Sequence, residues 1–175
     1  MLRVVGPCQE SDLVMVERIV KVDLRGQLLE LHENGRVVRR YPVSTSRFGA
    51  GEQSGSNKTP RGRHVIRAKI GANQPRGAVF VGRRPTGEIY SEALACAEPA
   101  RDWILTRILW LSGTERGKNR LGDVDTMRRY IYIHGAPDSS ELGVPGSIGC
   151  VRMSNDAVIE LFDLVSIGDR VEIVE

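Results

Sequence analysis

Apolar and polar residues in this chain alternate with a period of two far more often than they recur with a helical period. In 14–24, VMVERIVKVDL, apolar residues recur from Val16 through Val20, Val22 and Leu24, with a break near Arg18 and Ile19, which predicts a strand. The runs QLLELH (27–32) and VVRRYPV (37–43) predict two more, joined across Asn34-Gly35. That dipeptide is the strongest short hairpin signal, because both turn positions need positive φ. Pro42 has no N–H to donate and marks an edge or a strand end. Residues 63–70 and 77–82 read as strands separated by a Gly- and Pro-containing turn, and RYIYIH (129–134) reads as a strand ending at His134. Segment 103–111, WILTRILWL, stays open between the two periods. Ile104, Leu105, Ile108 and Leu109 suit a helix, yet the run is short and rich in β-branched and aromatic residues.

One segment has a clear helical pattern. Ser154 suits an N-cap, Asp156 suits the first turn, and Val158, Leu161, Phe162 and Val165 fall at i, i+3, i+4 and i+7. Gly168 ends it, and RVEIV (170–174) follows as a strand. Residues 44–62 are rich in Gly and Ser and poor in bulky apolar residues, so they predict a long loop, of a length usually functional or mobile. Many short strands with Gly/Pro punctuation and one helix predict a mainly β sandwich or barrel, with its helix just after Cys150, built as a single domain over 1–175.

Composition narrows the function. The 175 residues suffice for one ordinary core. The net charge of +3 is spread along the chain, and aromatics are only 5%, so the basic stripe with interleaved aromatics of a nucleic-acid binder is absent. Cys8, Cys96 and Cys150 are an odd, irregularly spaced set with no C-x-x-C and no nearby His, which excludes zinc-ligand spacing and suits a reducing compartment. The run Leu2–Val5 is too short for a signal-peptide core, and no stretch approaches the roughly 20 apolar residues of a membrane span. A complete chain of this kind is expected in the cytosol; one whose export signal had been removed would look similar and belong in the periplasm.

The chemistry-bearing segment is His134-Gly135-Ala136-Pro137, then a loop, then Ser147-Ile148-Gly149-Cys150-Val151-Arg152-Met153. A strand delivers His134 to its end, and Cys150 follows a glycine and precedes the helix capped at Ser154. A nearby imidazolium and a helix N-terminus both lower a thiol pKa, and the thiolate is the reactive form. Gly149 lets backbone approach a substrate, and neighbouring N–H groups offer an oxyanion hole. Arg152 shares the side-chain parity of Cys150 in an extended backbone and suits a bidentate carboxylate pair. Alone, Cys150 would read as a small buried hydrophobe and His134 as a satisfied core histidine; their pairing decides for nucleophile and base. Ser147 is a candidate substrate contact, weighed against simple support of the turn. A thiol–imidazole pair needs no metal or other cofactor for acyl transfer. His32 and His64 read as structural, Cys8 and Cys96 as bystanders, and Arg83 and Arg84 as a solvated pair, although Tyr90 and this region could line the cleft.

This segment resembles the L,D-transpeptidase (YkuD-type) catalytic domain, whose motif is His-Gly, a loop, then Ser-His-Gly-Cys, an apolar residue and Arg or Asn. RVVRRYPVSTSRFG, NKTPRGRHVI, RYIYIHG and VSIGDRVEIV look like successive blocks of that family, so the resemblance runs from about residue 20 to the end. It implies that Cys150 attacks the carbonyl between an L-centred diamino acid and D-Ala of a murein stem tetrapeptide. D-Ala then leaves, and an amine or water resolves the thioester. It also implies that the Gly135 carbonyl orients His134, and that carbapenems acylate the cysteine. The family's histidine before Gly-Cys is Ile148 here, a change expected to alter acceptor binding or favour water. The leading expectation is therefore a cytoplasmic L,D-carboxypeptidase of peptidoglycan recycling. A transpeptidase that cross-links murein or exchanges D-amino acids, and a non-catalytic peptidoglycan-binding module, are the alternatives.

Overall fold

The computed structural model describes residues 16–175. Cys8, the Leu2–Val5 run and the start of the first predicted strand lie outside the described residues. Strand β1 (Arg18–Asp23) buries Val20 and Val22 on one face. Asp23 then accepts from the Arg25 and Gly26 amides and turns the chain into β2 (Leu28–Glu33), where Leu29 and Leu31 are buried. Asn34 and Gly35 adopt φ of 48° and 80°, the two positive angles that a tight hairpin needs, and β3 (Arg36–Pro42) returns antiparallel. The remaining strands are β4 (Gly62–Ile70), β5 (Ala78–Val81), β6 (Arg84–Ile89), β7 (Ile104–Gly113), β8 (Tyr132–Gly135), β9 (Val151–Met153) and β10 (Arg170–Val174).

These ten strands form one mixed sheet in the order β3-β2-β1-β10-β4-β7-β5-β6, with β8 branching from β7 and β9 pairing β8. Two pairings are parallel, β1 with β10 and β8 with β9. Val20 and Leu29 from one end share a core with Ile133, Val151 and Met153 of the branch, so the sheet folds back on itself as a sandwich. A smaller cluster of Ala78, Phe80, Ile108 and Tyr132 lies apart from that core. Helix α2 (Asn155–Leu164) is capped by the Ser154 hydroxyl, which accepts from the Ala157 amide at 3.2 Å, and it buries Val158, Leu161 and Phe162 in the main core. The mainly β fold and its helix match the expectation from sequence.

From Ile104 the ambiguous segment is strand, and β7, running to Gly113, is the longest of the ten. Its helical spacing is broken at Thr106, whose φ is +70° and where the register with β8 shifts between Leu105 and Ile108. A β-branched residue at positive φ is a true backbone outlier. The predicted 129–134 strand starts later, at Tyr132, because Tyr130 also takes a left-handed φ of 56°. A short helix, α1 (Glu92–Ala97), was not expected; it buries none of its residues, so it carries no periodic signal.

Candidate active site

The cysteine sits on a turn fastened from below. Ser147 is 1% exposed; its hydroxyl accepts from the Gly149 amide at 3.2 Å and donates to the Cys150 carbonyl at 2.6 Å. The Thr59 hydroxyl donates to the Gly149 carbonyl at 2.9 Å and accepts from the Ser46 amide at 3.0 Å. The Thr45 carbonyl takes the Gly146 and Ser147 amides, and Ser44 exchanges both backbone hydrogen bonds with Arg152. The predicted long loop is thus an ordered cradle, with Ser44, Thr45, Ser46 and Thr59 all buried. Gly149 stands at φ +133°, and a Cβ there would meet Ile131 Cδ1 at 3.3 Å, so glycine lets the turn close on Ile131.

The parallel pairing of β8 and β9 then aligns the dyad. Ile133 pairs with Val151, and His134 with Arg152. Ile133, Val151 and Met153 point into the main core, whereas Tyr132 and Cys150 belong to the smaller cluster on the opposite face. Side chains alternate along a strand, so Tyr132, His134, Cys150 and Arg152 share that face. The Tyr132 amide donates to Cys150 Sγ at 3.3 Å, and the thiol donates to the Tyr130 carbonyl at 3.5 Å.

His134 is fully buried, with Nδ1 2.8 Å from the Gly135 carbonyl. A carbonyl only accepts, so Nδ1 carries the proton and Nε2 carries the lone pair. Nε2 makes no hydrogen bond among the described residues. The Gly135 backbone is itself held tightly: a Cβ there would fall 2.6 Å from Asn155 Oδ1 and 2.8 Å from the Leu105 carbonyl. Asn155 Nδ2 donates to the Ala136 carbonyl at 2.9 Å, and the Thr106 hydroxyl donates to Asn155 Oδ1. The strained Thr106 and the first residue of α2 therefore clamp the segment that orients the imidazole.

Burial governs both titrations. It pushes the Cys150 thiol up to about 12, against a partial lowering by the Tyr132 amide, and holds the His134 pKa below its ordinary value, against a raising by the Gly135 carbonyl. The expected helix-terminus activation is not what this structure shows, because β9 separates Cys150 from the start of α2. Both shifts favour the uncharged thiol and the uncharged imidazole.

A cleft of about 550 Å³ opens over Cys150, lined by Arg83, Asp102, Arg129, Tyr130, Tyr132 and Ile148 among others. Ile148 is 44% exposed and also lines an adjoining hollow of about 240 Å³. Arg152 lies on the dyad face, but its guanidinium is paired with Asp102 at 2.7 Å and bonded to the Gly146 carbonyl at 3.3 Å. Ser147 does not reach the cleft. Arg129 donates to the carbonyls of Gly51, Glu52 and Lys58 and to Ser56, and so ties the cradle to the cleft floor. Of the candidate oxyanion donors, the Gly149 and Tyr132 amides are engaged, and the Cys150 amide has no acceptor among the described residues.

Sequence reading missed Asp102, Arg129, Thr59, Thr106 and Asn155 as parts of the site. None sits in a motif, and each reaches the dyad through tertiary contact; only the Asn after the Ser154 cap lay close to a recognised signal. His64 is structural, as expected, bonded to the Gly62 carbonyl and to Thr126. Tyr90 packs edge-on against Trp103 at 5.2 Å. No group of three or more His, Cys, Asp or Glu side chains that could hold a metal occurs among the described residues.

The family described as L,D-transpeptidase catalytic domain matches residues 17–173. A Bacillus licheniformis protein assigned to the L,D-transpeptidases as YkuD is 27% identical over 154 residues, covering 88% of this chain and 64% of its own length. An L,D-transpeptidase from Mycobacterium smegmatis superposes with a TM-score of 0.59 at 20% identity, covering 91% of this chain and 59% of that one. A further L,D-transpeptidase, solved in complex with imipenem, gives 0.54 at 21% identity, with the same two coverages of 91% and 59%. The chain thus spans about three-fifths of the length of these relatives.

Proposed function

The chain belongs to the L,D-transpeptidase catalytic-domain family, and from that premise we propose that it is a cysteine L,D-carboxypeptidase acting on murein tetrapeptides. The observation that carries this reading is the placement of His134 and Cys150 on one face of the paired β8 and β9, with the imidazole Nδ1 bonded to the Gly135 carbonyl and Nε2 without a partner among the described residues. In the proposed reaction the thiol leaves the Tyr130 carbonyl and gives its proton to Nε2 as Sγ attacks the carbonyl before D-Ala. The Cys150 amide meets the developing oxyanion. His134 returns the proton to the leaving amine, and a water activated by the same nitrogen hydrolyses the thioester. In this reading proton transfer is part of the attack rather than a step before it.

Water is favoured as acceptor because Ile148 presents an apolar wall beside Cys150 where an incoming amine would need a polar partner. A hydrolase of this kind fits the trimming of tetrapeptides to tripeptides in cytosolic murein recycling. The transpeptidase reading differs only in its acceptor.

Mass spectrometry of a murein tetrapeptide incubated with the protein, with and without excess D-methionine, tests both. Loss of D-Ala without exchange is expected; a D-methionine product makes the protein a transpeptidase. Cys150→Ala is expected to lower turnover by about 10³-fold or more, and unchanged turnover in that variant removes the enzymatic reading altogether. Ile148→His is expected to raise the exchanged fraction. By analogy with the imipenem-bound neighbour, a carbapenem is expected to add its mass to Cys150 and not to Cys96.

A further inference from the structure

One cation of the cleft, Arg83, keeps a guanidinium edge that meets no acceptor among the described residues. Strands β5 and β6 are joined by a two-residue turn, Gly82-Arg83, since Val81 pairs with Arg84. Both turn residues stand at positive φ, 55° and 67°, which suits glycine or asparagine and is unfavourable for arginine. That unfavourable position aims a guanidinium at the cleft. Arg83 Cζ lies 4.5 Å from the Trp110 ring centroid and 4.9 Å from that of Tyr130, and one nitrogen, Nη1, donates to the Tyr132 hydroxyl at 3.0 Å. The two ring faces hold the guanidinium, while its remaining N–H donors meet no acceptor and no carboxylate among the described residues.

The other charges around Cys150 are already engaged. Asp102, the cleft's one carboxylate, is paired with Arg152, and Arg129 is bonded to three backbone carbonyls and a hydroxyl. A hairpin clamp alone would need no charge, since an apolar side chain would pack on the same two rings. A guanidinium with a free edge, fixed by aromatic faces beside a nucleophile, is built for bidentate carboxylate recognition.

We propose that Arg83 forms a carboxylate-binding subsite, which seats a carboxylate of the peptide acyl donor while Cys150 attacks. This assignment rests on the stem-peptide reading for its substrate, but the subsite is testable without it. The role that sequence parity suggested for Arg152 passes to a residue on the opposite wall.

Two alkylating probes of similar size separate charge from access. Each reacts when the Cys150 thiolate displaces iodide and forms a thioether; iodoacetate carries a carboxylate and iodoacetamide does not. Peptide mapping reads Cys150 directly, with exposed Cys96 as the internal reference. In the unaltered protein the iodoacetate-to-iodoacetamide ratio at Cys150 is expected to exceed that at Cys96. Arg83→Asn keeps a residue that tolerates the turn geometry, and it is expected to lower the Cys150 ratio by about tenfold. Arg83→Lys is expected to retain part of the preference. The KM for a tetrapeptide should rise with Arg83→Asn more than kcat falls. An unchanged alkylation ratio in Arg83→Asn overturns the subsite. A lowered ratio in a protein that leaves tetrapeptides untouched upholds the subsite and discards the stem-peptide reading instead.

Discussion

The two walls of the cleft are built to different tolerances. On the nucleophile's side, every residue of β8 is buried, Val151 and Met153 of β9 are buried, and the cysteine turn is tied at Ser44, Thr45, Ser46 and Thr59. On the other side, five of the six residues of β6 are exposed, α1 buries nothing, and Val81 and Ile89 present about half their surface to solvent. Arg83 and the rings beneath it join the tip of the hairpin to the dyad side, while Ala78 and Phe80 of β5 pack with Tyr132 in the smaller cluster. The difference separates two tasks. In the proposed reaction, proton transfer between His134 and Cys150 demands fixed geometry, whereas selection among acyl donors can be adjusted on a wall whose exposed strand and helix bear little of the core.

That contrast is most exposed to a single methyl group. Gly135→Ala should destabilise the protein by about 3 kcal/mol, because the new Cβ would collide with a buried amide oxygen and a strand carbonyl rather than with flexible side chains. Urea unfolding measures it, and a change near zero would mean the nucleophile's wall is looser than its packing indicates.

Acid should act through two buried histidines, His134 on that side and His64 in β4. His64 is held to about 4 by burial, and His134 is lowered for the same reason. Their folded pKa values are depressed, so the unfolded chain binds more protons. The stability they contribute is present above about 6.5 and is lost as pH falls. His64 alone should remove about 3 kcal/mol between pH 6.5 and pH 4, and thermal melts across that range would show it.

A smaller effect belongs to the cradle. Thr59→Val would strip the buried Gly149 carbonyl and Ser46 amide of their partner at nearly constant shape, at a cost of about 2 kcal/mol. The smallest lies on the hairpin, where Ile89→Ser at a half-exposed site should change stability by about 0.5 kcal/mol or less. If Ile89→Ser proved as costly as Thr59→Val, the two walls would not differ as described.

The same division governs what the sequence makes legible. The Asn34-Gly35 hairpin, the Ser154-capped helix and the strand leading into His134 carry local signals, and each appears in the structure within a few residues. Cys150 and His134 are recognisable because a motif places them together. What ties them in place is not local. Thr59 lies ninety positions from the carbonyl it holds, and the clamp on Gly135 joins Thr106 to Asn155. Segment 44–62 reads as loose because small polar residues resemble a flexible linker in one dimension, although here their hydroxyls are buried ties. Strand β6 was missed because RPTGEI has no inward face to alternate. Arg83 read as half of a solvated pair because nothing in Gly-Arg-Arg reveals which guanidinium turns toward aromatic rings.

The parallel pairing of β1 with β10 bears on how the chain acquires its shape. Residues 19–23 lie beside residues 170–174 in the interior of the sheet, not at an edge. A pairing between such distant segments has a large loop-closure cost and favours slow folding. The late strand must reach a slot between β1 and β4 before the sheet is continuous. During synthesis, the segments that cradle the nucleophile emerge before the strand that completes the sheet. A nascent chain stalled ahead of β10 would hold the cysteine and histidine without the continuous platform beneath them. Such a chain should be open to proteolysis and slow to react as an enzyme.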